Sequence, residues 1–283
     1  MPLPEPPLRT PLDARAAGPW FPPGTGPVPA PAALTLVCFP YAGGTPSLHQ
    51  RWSGRLGDGV HVAPLLLPGR GLRLAEEPFT AMGPLADAVT DALADRPGGG
   101  AFAFFGHSMG ALLAYEVACA LRERGLPGPL GLFLSGSRAP HQYGDREDST
   151  LPEEELLALL GGLGGLGAGR AGVRRAFWRR RLPALRADLR ACDDYRWRPR
   201  EPLHVPLTVL AGRDDPLARP AQTEAWRTYT TGGFVRREAP GGHFYLLDDP
   251  AQELLLRELR DWCARLTRAH ARTGPDRTPP RDS

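Results

Sequence analysis

The stretch "FAFFGHSMGALLAYE", residues 102–116, joins an apolar run directly to a helical pattern, with no spacer between them. Ser108 stands at the junction between Gly106 and Gly110, in the pattern G-x-S-x-G. So tight a strand-to-helix turn strains the serine backbone and pushes its hydroxyl out above the sheet. Side chains at the two glycine positions would crowd the neighbouring strand and helix. The stretch therefore predicts a nucleophile elbow with Ser108 as the nucleophile.

Apolar runs alternate with helical patterns along most of the chain. We predict strands at 34–39, 61–67, 101–105, 130–136, 205–212 and 234–239, and helices at 82–95, 109–125, 218–229 and 249–266. Strands that alternate with helices indicate an α/β protein, with a mostly parallel sheet covered by helices on both faces.

The segment from about 148 to 200 contains no predicted strand. Its first helical stretch opens with a capping-box pattern, in which Ser149 or Thr150 is the N-cap, and Pro183 interrupts the second stretch. Ligands of open α/β sheets bind beyond the carboxyl ends of the strands. We therefore interpret the insertion as a helical lid over the site. A purely structural helical hairpin is the alternative.

The two ends of the chain differ in composition from the predicted domain, residues 32–267. Residues 1–31 contain eleven prolines and are predicted to form a flexible lead-in, and residues 268–283 to form a flexible polar tail. No apolar run reaches the ~18 residues of a membrane span, and the start lacks a signal-peptide pattern. A cytoplasmic protein that does not bind membranes is expected.

The composition is biased, and this limits what the charges indicate. The formal net charge is +3, and all 34 basic side chains are arginine, since the chain contains no lysine. Because isoleucine and asparagine are also absent, we do not read the arginines as a sign of nucleic-acid binding. The four cysteines are far apart, which predicts reduced thiols and neither a disulfide framework nor a zinc site. No metal or cofactor is expected.

A serine hydroxyl needs a base to become a good nucleophile, and in elbow enzymes the acid and then the histidine follow the serine along the chain. The stretch "LTVLAGRDDPLA", residues 207–218, supplies two candidate acids, Asp214 and Asp215. Asp215 is favoured because it stands three residues after Gly212 and directly before Pro216.

The stretch "EAPGGHFYLLDDP", residues 238–250, places His243 on a glycine turn after a predicted strand. This position predicts that His243 is the general base. His107 neighbours the serine, but the elbow directs its side chain elsewhere, and local packing or hydrogen bonding is expected for it. The others stand in no comparable turn or in the tail, and structural or surface roles are expected for them: His49, His61, His141, His204 and His270.

The oxyanion hole of such enzymes takes one backbone N–H from the residue after the nucleophile and one from the loop after an early strand. The first is that of Met109. The loop is "CFPYAGGTP", residues 38–46, in which two glycines allow the backbone to approach a substrate. Ala42 is the preferred second donor, with Tyr41 as the alternative.

Several motifs together resemble the type II thioesterases, free-standing enzymes that accompany polyketide synthases and non-ribosomal peptide synthetases. They are "CFPYAGG", "LPGRGLRLAEEPFT", "FFGHSMGALLAYE", "LSGSRAP", "LPALRADLRACDDYRWRP", "GRDDP" and "PGGHFYL", and they run from about residue 34 to 266. The resemblance implies an α/β-hydrolase fold with a mobile lid. It also implies hydrolysis of aberrant or stalled acyl thioesters from the phosphopantetheine arm of carrier proteins, the expected partners.

By position, the resemblance makes Ser108 the nucleophile, His243 the base and Asp215 the acid. Three alternatives stay open. The same triad serves generic carboxylesterases and acyltransferases, and the fold could also be a non-catalytic module that binds carrier proteins. The intact triad argues against the last. The matched "LPGR" motif, residues 67–70, gives Arg70 no evident role.

The stretch "VRRAFWRRRLPALR", residues 173–186, is rich in arginine. We predict that Arg175 and Arg179 contact an acidic carrier protein or the phosphate of its pantetheine arm, because guanidinium groups bind phosphate through two parallel hydrogen bonds. The alternative is a solvated helix face in an arginine-biased protein.

Overall fold

The computed structural model describes residues 20–23, 25, 34–94, 100–165 and 178–273. Six strands form one parallel sheet in the order β2-β1-β3-β4-β5-β6. The strands are β1 (Leu34–Phe39), β2 (Val60–Pro64), β3 (Phe102–His107), β4 (Leu132–Ser135), β5 (Leu207–Gly212) and β6 (Phe234–Ala239). All six predicted strands are present, so the predicted parallel sheet is confirmed.

Helices connect the strands, as the alternating pattern predicts. They are α1 (Ser47–Gln50), α2 (Met82–Ala94), α3 (Met109–Glu123), α4 (Glu153–Gly162), α5 (Leu182–Asp193), α6 (Pro220–Glu224) and α7 (Asp249–Thr273). Short 3₁₀ turns lie at Gly71–Arg73, Pro140–Gln142, Asp148–Thr150, Ala225–Tyr229 and Tyr245–Leu247.

The sheet is buried on both faces, which explains why its strands read as continuous apolar runs. Successive side chains of β1 alternate between two cores. Val37 and Phe39 pack in the core that contains α2 and α3. Leu36 and Cys38 pack in the core on the opposite face, which contains α7.

The predicted helical insertion lies between β4 and β5 and has a small core of its own. The capping box predicted for the start of this insertion is wrong. Helix α4 begins after Pro152 without a side-chain cap, and Ser149 and Thr150 lie in the preceding 3₁₀ turn. The predicted interruption at Pro183 is confirmed. Residues 178–179 are helical, a turn follows at 180–181, and α5 begins at Leu182 with Pro183 in its first turn, where the missing N–H would lack a helical partner in any case.

Both ends contain more structure than the composition predicts. Helix α7 runs to Thr273, beyond the predicted end at 266, so residues 268–273 of the expected tail are helical. Within the lead-in, the Trp20 carbonyl accepts the Leu66 N–H at 2.7 Å, and the Arg73 guanidinium lies 4.3 Å from the Trp20 ring. Residues 1–19, 24, 26–33 and 274–283 lie outside the described residues. Within the described part, no helix combines the length and apolarity needed to cross a bilayer.

Candidate active site

Ser108 occupies the turn between the end of β3 and the first residue of α3. Its backbone has φ 55° and ψ −123°, and it is the only residue other than glycine with positive φ in the described part of the chain. Its N–H donates to the Ser135 carbonyl of β4 at 2.8 Å. The strained backbone is therefore held by the sheet, and it presents the hydroxyl above the carboxyl edge.

The two glycines of the elbow are required by backbone contacts. A Cβ atom at Gly106 would overlap the Gly110 carbonyl in the first turn of α3. A Cβ atom at Gly110 would overlap the Phe39 carbonyl at the end of β1. The predicted crowding is therefore a clash with backbone carbonyl groups of the helix and of a neighbouring strand. Helix α3 can start directly behind Ser108 only because neither position carries a side chain.

Three side chains from distant parts of the chain form one hydrogen-bonded relay. His243 Nε2 lies 3.0 Å from Ser108 Oγ, and His243 Nδ1 lies 2.8 Å from Asp215 Oδ2. The other carboxylate oxygen of Asp215 accepts the N–H groups of Leu217 and Ala218 at 2.8 and 3.1 Å. Asp215 and His243 are each only 2% exposed. The fixed carboxylate can hold the imidazole in one orientation and stabilise its protonated form.

The structure distinguishes the two candidate acids by position. The side chain of Asp214 is exposed. Its N–H donates to the Gly241 carbonyl at 3.0 Å, which ties the loop after β5 to the loop carrying His243. The two loops touch so closely that a Cβ atom at Gly212 would overlap the Gly242 carbonyl. This contact brings Asp215, rather than Asp214, against His243.

The predicted oxyanion residues line the same cavity as Ser108 and His243. Ala42 and Met109 both belong to its wall, and the cavity has a volume of about 70 Å³. Met109 is the first residue of α3, so its N–H has no acceptor within the helix and lies at the positive end of the helix dipole. Tyr41, the alternative donor, packs its ring edge-on against Phe244 at 5.1 Å between ring centres.

The helical insertion forms the opposite wall of the cavity. Leu189, Cys192 and Asp193 of α5 line it, together with Tyr143, Arg146 and Asp148 from the segment after β4. The insertion therefore covers the serine, as the lid interpretation expects. In the small core of the insertion, Trp178 and Leu185 pack against Tyr41 and Ala42 of the oxyanion loop.

A buried polar chain lies behind the serine, and its pairing of His107 with residues of other elements was not predicted. His107 Nδ1 lies 2.8 Å from Ser135 Oγ, which lies 2.5 Å from the Tyr245 hydroxyl. The His107 ring is 5.0 Å from that of His243. Burial, aided by His243 and His49, holds the pKa of His107 well below its usual value. His107 therefore stays neutral and adds no positive charge beside His243.

The structure describes one of the two arginines that are predicted to contact the carrier protein. Arg175 lies outside the described residues. Arg179 Nε lies 2.6 Å from Glu153 Oε1, and their side chains are 54% and 38% exposed. Exposed ion pairs of this kind contribute little free energy, so the pairing leaves the guanidinium available at low cost. A role for either arginine in carrier binding stays a prediction.

No group of histidine, cysteine, aspartate or glutamate side chains in the described ranges has an arrangement that could hold a metal ion. All four cysteines are free thiols, and burial raises the pKa of Cys263 to about 12.

The arrangement is suited to nucleophilic acyl transfer. A serine on an exposed elbow, a histidine within hydrogen-bonding distance and a buried carboxylate behind it make the parts of an activated nucleophile. The N-terminus of α3 beside the serine can stabilise a developing oxyanion.

Comparison with known proteins agrees with this chemistry. The family model described as "Thioesterase domain" matches residues 34–263. The probable cadicidin biosynthesis thioesterase of Streptomyces griseus is 41% identical over 217 residues, which are 76% of this chain but 58% of that relative.

Two solved structures are also similar. One is a RedJ thioesterase from the prodiginine biosynthetic pathway in Streptomyces coelicolor, which is 52% identical with a TM-score of 0.79. The alignment covers 90% of this chain and 96% of that one. The other is the type II thioesterase BorB from the borrelidin biosynthetic cluster, 35% identical with a TM-score of 0.73, with 82% and 94% of the two chains covered.

Proposed function

Because this chain belongs to the thioesterase family, we propose that it is a free-standing type II thioesterase of polyketide or non-ribosomal peptide biosynthesis. It hydrolyses acyl thioesters on the phosphopantetheine arm of carrier proteins in the cytoplasm, and so removes aberrant or stalled acyl groups. The observation that carries the proposal is the relay from Ser108 through His243 to Asp215, beneath a helical lid.

The first half of the reaction acylates the serine. His243 Nε2 takes the proton of Ser108 as its Oγ attacks the thioester carbonyl carbon. The carbonyl oxygen becomes an oxyanion, which the N–H groups of Ala42 and Met109 bind. When the C–S bond breaks, His243 returns the proton to the departing pantetheine sulfur. The products are an acyl-Ser108 ester and a free carrier thiol.

The second half regenerates the enzyme. A water molecule replaces the carrier thiol, and His243 removes one of its protons as its oxygen attacks the acyl ester. The oxyanion forms in the same place, and the proton then goes to Ser108 Oγ. Asp215 stabilises the imidazolium in both halves without itself taking up a proton. The acyl group leaves as a free acid.

Paired substrates test the proposed chemistry. The acyl-N-acetylcysteamine thioester and its oxygen ester, with the same acyl group, are incubated with the enzyme and the products are separated. We expect free acid from the thioester, with a higher kcat/KM than for the oxygen ester. A preference for the oxygen ester would indicate a carboxylesterase. Transfer of the acyl group to an added amine or alcohol, with little free acid, would indicate an acyltransferase.

The proposal extends to how the carrier protein is recognised. Arg179 lies on the surface of the insertion that covers the active site, and its exposed ion pair with Glu153 can be exchanged for a new acidic partner. Arg175, from the same arginine-rich stretch, is proposed to act with it. Carrier proteins are generally acidic, so attraction of this kind speeds encounter and weakens with salt.

Charge reversal tests this contact. Arg179→Glu, alone and with Arg175→Glu, is compared with Arg257→Glu, a control at an exposed arginine of α7. We expect the first two to raise KM for acyl-carrier substrates at low salt and to leave the small N-acetylcysteamine thioester unaffected. Parallel losses on both substrates, or no loss at all, would place the carrier contact elsewhere.

A further inference from the structure

Arg70 and Asp188 form a buried ion pair between the loop after β2 and the lid helix α5. Arg70 Nη1 lies 2.7 Å from Asp188 Oδ2, and Nη2 lies 2.7 Å from Oδ1. The two side chains are 3% and 2% exposed. Arg70 Nε also donates to the Pro68 carbonyl at 3.2 Å. A pair with two parallel charge-assisted bonds fixes orientation as well as distance.

Each member of this ion pair also makes one hydrogen bond to the backbone of the oxyanion loop. Asp188 Oδ2 accepts the Gly43 N–H at 2.7 Å. Arg70 Nη1 donates to the Gly44 carbonyl at 3.3 Å. Gly43 directly follows Ala42, whose N–H is the proposed oxyanion donor. The peptide groups beside that donor are therefore attached to side chains of two different elements.

Helix α5 lies directly on the same loop. A Cβ atom at Gly43 would contact the Trp178 ring and the Leu185 side chain, and Gly43 has a positive φ of 71°. Asp188 lies on the buried face of α5 among Leu185, Ala184 and Ala191. An acidic residue on an apolar helix face needs a partner. Here its partners are Arg70 and the loop.

We propose that Asp188, held by Arg70, is a positioning residue that fixes the Gly43 peptide and so aims the Ala42 N–H at the oxyanion. The inference rests on the proposed hydrolase function and deepens it. Because Asp188 belongs to the lid helix, the oxyanion hole is complete only while α5 is seated on the loop. Lid closure and assembly of the catalytic geometry are then one event.

The role has a kinetic signature. The oxyanion exists only during the reaction, so loss of its alignment lowers kcat and leaves KM nearly unchanged. Removal of an oxyanion-hole donor lowers kcat by about 10²–10³-fold. A donor that is still present but misaligned should lower kcat by less, about 10–100-fold.

The variants are chosen to separate an effect on the alignment of the oxyanion hole from an effect on folding. Removing one partner leaves the other charge buried and unpaired, which destabilises proteins strongly. The double variant Arg70→Met/Asp188→Leu removes both charges and keeps similar volumes. Asp188→Asn keeps an acceptor for the Gly43 N–H and serves as the conservative variant. The matched control is Arg73→Met/Glu76→Leu, which removes the neighbouring ion pair of the same loop.

Each variant is assayed for Tm, for kcat and KM on an acyl-N-acetylcysteamine thioester, and for two inhibition constants. A trifluoromethyl ketone analogue forms an oxyanion adduct with Ser108, and a non-hydrolysable thioether analogue does not. We expect Arg70→Met/Asp188→Leu to fold, to lose about 10–100-fold in kcat, and to bind the ketone more weakly by a similar factor. Its KM and thioether binding should stay within about threefold. Asp188→Asn keeps an acceptor for the Gly43 N–H but loses one of the two bonds to Arg70, so it should lose kcat and ketone affinity by a smaller but measurable factor.

Several outcomes would overturn the inference. A folded double variant with the kcat and ketone affinity of the wild type would do so. Equal losses of ketone and thioether binding would reveal a merely structural pair. If the double variant does not fold, the same readouts on Asp188→Asn decide, and a wild-type kcat and ketone affinity there would refute the role. A wild-type enzyme that binds the ketone but does not hydrolyse thioesters would contradict the proposed function alone.

Discussion

His243 Nε2 lies 3.0 Å from Ser108 Oγ, although 135 residues separate the two along the chain. Two further strands, β4 and β5, stand between the strands that carry them. Backbone contacts join the loops after β5 and β6, and the histidine on the second loop reaches the serine after β3. The arrangement of these side chains is therefore a property of loop packing at one edge of a parallel sheet.

Ser108→Ala should abolish turnover and preserve the fold, because the serine side chain is used in the reaction and alanine fits the same backbone no worse. Some rate enhancement over water, of order 10³-fold, should remain from the oxyanion hole and binding. Thioester hydrolysis and thermal unfolding are measured on the same preparation. Undiminished turnover would exclude Ser108 as the nucleophile.

Asp215→Asn should lower kcat by up to ~10⁴-fold, since an amide cannot hold the imidazole in the required tautomer. Asp214→Asn is the matched control. Its side chain is exposed, and its backbone contact to Gly241 survives the change. The comparison is made by steady-state kinetics at one pH, and comparable losses in the two variants would be inconsistent with the geometry.

Gly110→Ala should destabilise the protein by about 1–3 kcal/mol, because the added Cβ would overlap the Phe39 carbonyl and force the helix off the sheet. Gly83→Ala in the first turn of α2 is the control, since a Cβ there meets no atom within 4 Å. That change should be neutral or stabilising by about 0.5 kcal/mol. Urea unfolding measures both, and equal stabilities would refute the close contact at the elbow.

His49 should make the protein sensitive to acid. Burial lowers its pKa to about 3, and its ring packs against Trp52. The unfolded chain takes up this proton near pH 6.5 and the folded chain does not, so stability rises with pH between about 3 and 6.5. The contribution lost between pH 6.5 and 5 is on the order of 2 kcal/mol.

His49→Phe should flatten the dependence of stability on pH in this window. His204→Phe, the same change at an exposed histidine, should leave the dependence as in the wild type. Urea unfolding at pH 5 and 6.5 makes the comparison. An unchanged slope in His49→Phe would show that this histidine is not the acid-sensitive group.

The sequence predicted the sheet and the three side chains that meet at the candidate site, because each depends on a local pattern. Buried parallel strands are continuous apolar runs, and an elbow requires glycines at fixed distances from Ser108. The helix starts in the insertion were less predictable. Ser149 and Thr150 are residue types that favour the N-cap position, but they lie in a 3₁₀ turn, and α4 begins only at Glu153.

Contacts between distant residues that belong to no local motif could not be predicted. Arg70 and Asp188 are 118 positions apart. Because arginine is abundant in this chain, the sequence does not distinguish a buried arginine from the exposed ones. One signal was available. Asp188 lies three residues after Leu185 and three before Ala191, on the apolar face of its helix, where an acid without a partner would be costly.

Intact-mass spectrometry of a carrier protein tests the central claim most directly. The carrier is loaded with several acyl groups on its phosphopantetheine arm and incubated with wild-type enzyme or with Ser108→Ala. We predict that the wild type returns the carrier to the mass of the free thiol and releases the acyl group as free acid, whereas the variant leaves it acylated. A carrier that keeps its acyl groups with the active wild-type enzyme, or loses them equally with the variant, would contradict the account.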